Sequence, residues 1–277
     1  MKIVSPFLAM LIFISCASGK EKTYTASTPA GTVVKTFLGI PLSDSVDFIR
    51  WKLTLDNNQY KLQCNYGLSK PNTNGFMKGG EKVELTGTLT KENNILHFKN
   101  GSKILKAAEL NGDLMHLLDD NNNLLVGNGG WSYTLNNINP QNTEEINIAS
   151  TPPVVKDSIT YDGRSPCKIP GLLPAGQECY KLKWRIIFYA DAEKKEPGSY
   201  KIWGTNWRKE GNKTGNMKII KGPNNRIVYQ LNDDDGKGFL YLLKLDEHIL
   251  VFTDANGKLL VGDEDFSYTL NKIAPKM

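Results

Sequence analysis

The chain carries the same segment twice. Residues 119–138, DDNNNLLVGNGGWSYTLNNI, and residues 254–273, DANGKLLVGDEDFSYTLNKI, align without a gap at an offset of 135 and share 12 of 20 residues. The identities include Leu124-Leu125-Val126-Gly127 against Leu259-Leu260-Val261-Gly262. They also include Ser132-Tyr133-Thr134-Leu135-Asn136 against Ser267-Tyr268-Thr269-Leu270-Asn271. Self-similarity at a long fixed period marks tandem units and constrains the architecture before any local signal is read. It also weights the search for function, because a site confined to one copy is not what the shared fold was built around.

The front halves of the two units align at an offset of 133, placing Val34, Pro41, Val46 and Trp51 against Cys167, Pro174, Cys179 and Trp184. The cysteine pair of the second copy thus faces a valine pair in the first. A disulfide and an apolar contact are interchangeable if the two side chains touch, so this pattern predicts a Cys167–Cys179 bridge. Such a bridge closes a short loop, contributes about 3 kcal/mol in the chain-entropy picture, and belongs to an oxidising compartment.

Alternation sets the local structure. Ile49, Trp51, Leu53 and Leu55 interleave with Arg50, Lys52 and Thr54, and Leu182, Trp184, Ile186 and Phe188 with Lys183 and Arg185. A period of two with one apolar and one polar face is a half-buried strand. Tyr60 with Leu62, and Tyr200 with Ile202, start a second strand in each copy. Leu110–Leu118 and Leu245–Thr253 read as later strands, followed by the turn sequences Asp119–Asn122 and Asp254–Gly257. Trp131, Tyr133 and Leu135, matched by Phe266, Tyr268 and Leu270, read as a closing strand. Lys35–Gly39 reads as a short helical plug, and no long helical period follows the N-terminal segment. The expectation is an all-β chain of two tandem, small, antiparallel meander barrels, closure hiding the sheet edges, with a sandwich as the alternative.

The ends suggest an address. Lys2, the apolar run Phe7–Ile14 and Ser15-Cys16 have the proportions of a secretory signal, and Phe13-Ile14-Ser15-Cys16 resembles a bacterial lipobox, whose cysteine carries lipid after cleavage. The expected layout is a signal peptide over 1–15, a flexible tether over 16–30, a first barrel over 31–138, a linker over 139–157 and a second barrel over 158–277. Cys16 is the expected lipid attachment site, placing the protein in the cell envelope as an outer-membrane lipoprotein. The formal charge of +5 falls to +4 without Lys2. The basic residues are scattered, which gives nucleic-acid binding little support.

The unit resembles the N-terminal domain of the NlpE family, lipoproteins linked to copper resistance and envelope stress. The lipid-type signal, the proline-containing turn before the first alternating strand, the late Asp/Asn turn and the closing aromatic-x-Tyr-x-Leu strand carry the resemblance. It implies a small lipocalin-like barrel and, as one functional option, metal tolerance or stress sensing. Family members often carry Pro-Cys-x-x-Cys at the front turn. Here Pro41 is followed by Leu42-Ser43-Asp44-Ser45, and Pro174 by Ala175-Gly176-Gln177-Glu178.

Chemistry-bearing groups are sparse. His97, His116 and His248 show no ligand spacing, and neither His116 nor His248 is matched by a histidine in the other copy. Cys64 falls on the apolar face of its strand and reads as a buried thiol. Asn232–Gly236 lacks the donor layout of a calcium loop and reads as a solvated turn. Asp263-Glu264-Asp265, opposite uncharged Asn128-Gly129-Gly130, reads as loop variation. No phosphate-cradling loop or nucleophile–base motif is present, and no cofactor, metal site or catalytic residue is expected. The favoured reading is a non-enzymatic envelope protein. It binds a small apolar ligand or an envelope partner at the barrel mouths or between the copies.

Overall fold

The computed structural model describes residues 21–141, 150, 155–173, 178–191, 193, 195–207, 209–222 and 225–273. The signal segment, Cys16 and most of the linker lie outside the described residues. The chain forms two closed, eight-stranded barrels in which every neighbouring pair of strands is antiparallel. The first comprises β1 (Lys22–Pro29), β2 (Phe48–Asp56), β3 (Gln59–Gly67), β4 (Glu81–Glu92), β5 (Ile95–Asn100), β6 (Lys103–Asn111), β7 (Leu114–Leu118) and β8 (Thr134–Asn137). The second comprises β9 (Ser158–Ser165), β10 (Leu182–Ala190), β11 (Pro197–Gly204), β12 (Lys213–Lys221), β13 (Ile227–Asn232), β14 (Gly238–Lys244), β15 (Ile249–Thr253) and β16 (Thr269–Lys272). Both are simple meanders, closed where β1 pairs with β8 and β9 with β16.

Side chains fill both interiors. The alternating residues Ile49, Trp51 and Leu53 join Tyr60, Leu62, Phe98 and Leu135 in one cluster. Trp184, Ile186, Phe188, Tyr200, Tyr229 and Leu270 belong to the other. Such filled interiors are usual for small eight-stranded barrels.

One expectation is overturned. The stretch read as a flexible tether over 16–30 contains β1, paired along its whole length with β2. The first barrel therefore begins near Lys22 rather than at residue 31. Its serines and threonines suggested solvent, but Thr28 is fully buried and accepts a 2.8 Å hydrogen bond from Trp51 Nε1. The second barrel repeats this device with Ser165 and Trp184, at 2.9 Å. The Tyr24 hydroxyl donates to Gly112 O at 2.9 Å and Tyr161 to Glu247 O at 3.3 Å, so these tyrosines are also equivalent. The sequence signal is Thr23-Tyr24-x-x-x-Thr28-Pro29 against Thr160-Tyr161-x-x-x-Ser165-Pro166, at an offset of 137.

Two expected strands are shorter than anticipated. Leu110–Leu118 turns between β6 and β7 at Gly112-Asp113, where the Asn111 side chain accepts from the backbone N–H groups of Asp113 and Leu114. Leu245–Thr253 likewise becomes a turn before β15, held by Asp246.

The helical plug is present in the first copy as α1 (Thr32–Leu38), burying Val34, Phe37 and Leu38 in the barrel cluster and ending at Gly39. Among the described residues, the second barrel has no helix there. Its loop is instead closed by the Cys167–Cys179 disulfide, with a Cα–Cα distance of 5.9 Å, and Ile169, Leu172 and Leu173 pack inward. The disulfide expected from the valine comparison forms, but Val34 is not the structural counterpart of Cys167. Tyr133 lies against the backbone of Gly31, whereas its equivalent Tyr268 donates to Lys168 O. Gly31 therefore corresponds to Lys168, and Ala30 to Cys167.

Candidate binding site at the seam between the barrels

The segments most alike between the copies are the ones that meet. In Ser132–Asn136 the inward residues Tyr133 and Leu135 join the barrel core, while Ser132, Thr134 and Asn136 face the other barrel. Ser132 Oγ and Ser267 Oγ are 2.5 Å apart, and Thr134 Oγ1 and Thr269 Oγ1 are 2.9 Å apart. Each residue touches its own repeat equivalent, which places both pairs on a pseudo-two-fold axis. The flanking contacts are reciprocal, as such an axis requires. Gly127 N–H donates to Asn271 Oδ1 at 2.7 Å, and Gly262 N–H donates to Asn136 Oδ1 at 2.9 Å. The seam thus has the form of an isologous homodimer contact built within one chain.

The shared glycines follow from this geometry. A Cβ on Gly127 would sit 2.2 Å from Trp131 O and 2.8 Å from Asn271 Oδ1. On Gly262 it would sit 2.2 Å from Phe266 O and 2.9 Å from Asn136 Oδ1. Apolar packing completes the seam. Leu110 with Leu245 and Leu114 with Ile249 are equivalent pairs within one buried cluster drawn from both barrels, to which Leu259 belongs and against which its equivalent Leu124 packs. Leu124 and Leu259 also make matching bridges, to Leu118 and Thr253.

His116 brings an imidazole to this packing. Its Nδ1 is 2.9 Å from Thr134 Oγ1 and its Nε2 is 2.8 Å from Leu125 O. The carbonyl can only accept, so Nε2 carries the proton and Nδ1 accepts from Thr134. Burial pushes its pKa down to about 4 against the opposing pull of Leu125 O and Asp246, so the ring is neutral near pH 7. At the equivalent position stands Val251, buried in the seam cluster.

The acidic loop read as variation is part of the seam. Asp265 pairs with Arg50 and accepts from Asn74 Nδ2 at 2.6 Å. Glu264 O accepts from Ser27, and Asp263 O accepts from Asn136. Nothing in Asp263-Glu264-Asp265 announces this from sequence. The legible signal was the outward half of the Ser-x-Thr-x-Asn alternation, identical in both copies.

The barrels enclose a groove of about 700 Å³ where they dock. Thr25, Lys52, Gln63 and Lys82, on the outer face of β1–β4, line one side, and Val261–Glu264 of the second barrel wall the other. A smaller cleft of about 250 Å³ lies nearby, lined by Phe48, Trp131, Arg164, Lys181 and Phe266 among others.

The remaining candidate residues are dispersed. Cys16 lies outside the described residues, and Cys167 and Cys179 form the disulfide. Cys64 is buried, and burial pushes its thiol far above the usual range, which leaves it protonated and inert. His97 lies on β5, and His248 is exposed in a turn. The Asn232–Gly236 run is a turn in which Asp233 Oδ1 accepts from the backbone of Asp235 and Lys237. Among the described residues, no three His, Cys, Asp or Glu side chains converge as a metal site. No family model, curated protein or solved structure matches the chain.

Proposed function

We propose that this chain is a non-enzymatic binding protein of the bacterial envelope, held at the outer membrane by lipid on Cys16, and that it receives its partner along the seam between its barrels. One observation carries the reading: the 700 Å³ groove is walled by both barrels, so docking them creates a concave surface that neither has alone. The packed interiors leave the barrels themselves filled. Thr, Gln, Asn and charged side chains line the groove beside Trp51, Val83, Ile138 and Val261, and its exposed lining is more apolar than polar, which suits an amphipathic segment of an envelope partner.

Site-specific photocrosslinking in intact envelopes tests this. A crosslinker at Gln63, in the groove, is expected to yield one dominant adduct. The same group at Lys218, on exposed β12, is expected to yield none. Equal, diffuse labelling from both positions would end the proposal. Mass spectrometry of the N-terminal peptide tests the anchor, and an unmodified Cys16 thiol would remove it.

A further inference from the structure

We infer that the smaller cleft at the seam binds a phosphate group, free or esterified. This is a second site, and it does not depend on what occupies the wide groove.

The cleft lies on the pseudo-two-fold axis. Three pairs of repeat equivalents line it: Ser27 with Arg164, Phe48 with Lys181, and Trp131 with Phe266. Strand register supports the first assignment, because Ser27 pairs with Arg50 just as Arg164 pairs with Lys183. The hydroxyl pairs that touch across the seam are identical, Ser132 with Ser267 and Thr134 with Thr269. Here every pair differs. The first barrel contributes a hydroxyl and an aromatic ring where the second contributes a guanidinium and an ammonium. Symmetry has been broken where the axis passes through this cleft.

The result is a cationic cleft. Arg50, Lys70, Arg164 and Lys181 line it, and Asp265 is its one acid, already paired with Arg50. The Arg164 side chain makes no ion pair or hydrogen bond among the described residues. Its guanidinium lies 5.3 Å from the Trp131 ring centre, at the end of a stack running through Phe48 to Phe76. Lys181 is seated in the same way, 5.3 Å from the ring of Phe266, with no direct ion pair among the described residues, Asp265 acting on it only from a distance. Burial lowers the pKa of both, and Arg164 and Lys183 lower that of Lys181 further against the opposing pull of Asp265. Arg50 adds a buried Nε with no partner.

Desolvating cations without an acid is unfavourable unless something else supplies the charge. The Trp131 ring seats the Arg164 guanidinium at the cleft, where its side chain has no hydrogen-bond partner among the described residues. A planar guanidinium donates two parallel hydrogen bonds to a tetrahedral oxyanion, and an ammonium beside it adds a point charge. Two arginines and two lysines around 250 Å³ fit a compact, multiply charged group such as phosphate.

The test is calorimetric titration of the full chain at ionic strength matched with sodium chloride. The probes are inorganic phosphate, glycerol 3-phosphate and dihexanoyl phosphatidylglycerol below its micelle concentration. Saturable binding of at least one is expected. Arg164→Ser, which installs the first barrel's residue, and Lys181→Gln are each expected to weaken it roughly tenfold or more. Lys218→Gln, which removes the same charge from β12, is expected to leave it within about twofold. Tightest binding of inorganic phosphate identifies a free anion as the natural source, and binding of the phospholipid alone identifies a headgroup. The inference fails if none of the probes binds, or if both cleft variants bind as the unaltered chain does. Lys181→Gln keeps the test decisive should Arg164→Ser fail to fold.

Discussion

The two barrels close the same end by different means and meet along a face that is nearly the same in both. The first is stoppered by α1, which puts Val34, Phe37 and Leu38 into the core. The second ties its loop with Cys167–Cys179. Each stopper serves its own barrel, so either solution is acceptable there. A seam residue instead answers to the other copy. A change at Gly127 disturbs Asn271, and a change at Gly262 disturbs Asn136. This explains why identity between the copies is concentrated in Leu-Leu-Val-Gly and Ser-Tyr-Thr-Leu-Asn while the front loops diverge.

The comparison can be broken most forcefully at the stoppers. Phe37→Ala should cost about 3–5 kcal/mol in denaturant unfolding, the usual range for emptying a buried aromatic site. Replacing Cys167 and Cys179 by alanine should cost about 3 kcal/mol. Hydrogen exchange should place the first loss in barrel one and the second in barrel two. Loosening spread evenly over both barrels would mean that the stoppers are not independent.

Acid should probe the seam through His116. Its folded pKa, about 4, lies below the ordinary histidine value near 6.5, so between these values the unfolded chain binds more protons. The stability contributed by the neutral ring is full above about pH 6.5 and is lost as pH falls toward 4. At most this amounts to roughly 3 kcal/mol. His116→Val, which installs the second barrel's residue, should flatten that part of the pH profile; an unchanged slope would mean that the ring is already charged in the fold.

The smallest effects sharpen the comparison within the seam itself. Asn136 Oδ1 accepts from Gly262, and its Nδ2 donates to Asp263 O, whereas Asn271 accepts from Gly127 but leaves a buried Nδ2 unpartnered. Both alanine variants should destabilise by about 1–3 kcal/mol, Asn136→Ala more than Asn271→Ala. The reverse order would show that the reciprocal contacts are not balanced as described.

The parts of the fold legible in the sequence were those governed by local period. The alternating strands around Trp51 and Trp184 could be read directly, as could the closing Tyr-x-Leu strands and the plug near Lys35. Strand β1 was hidden because its buried positions hold Ser27 and Thr28, one bonded across the seam and one to Trp51. Its signature lay in the repeat of Tyr24 and Thr28 as Tyr161 and Ser165. The seam was half legible. The identity of Ser132, Thr134 and Asn136 with their equivalents marked a constrained surface, but a sequence cannot say that the constraint is the other copy. The cationic cleft was not legible, because Arg164 and Lys181 come together with Trp131 only once the barrels have docked.

The central claim is that repeat equivalents face one another across the seam. The most direct measurement is disulfide formation in the Ser132→Cys/Ser267→Cys chain, read by peptide mass spectrometry after folding without reductant. The account predicts a bridge between positions 132 and 267 alongside the native Cys167–Cys179 bridge. Both new thiols remaining free to alkylation while the native bridge forms would contradict it.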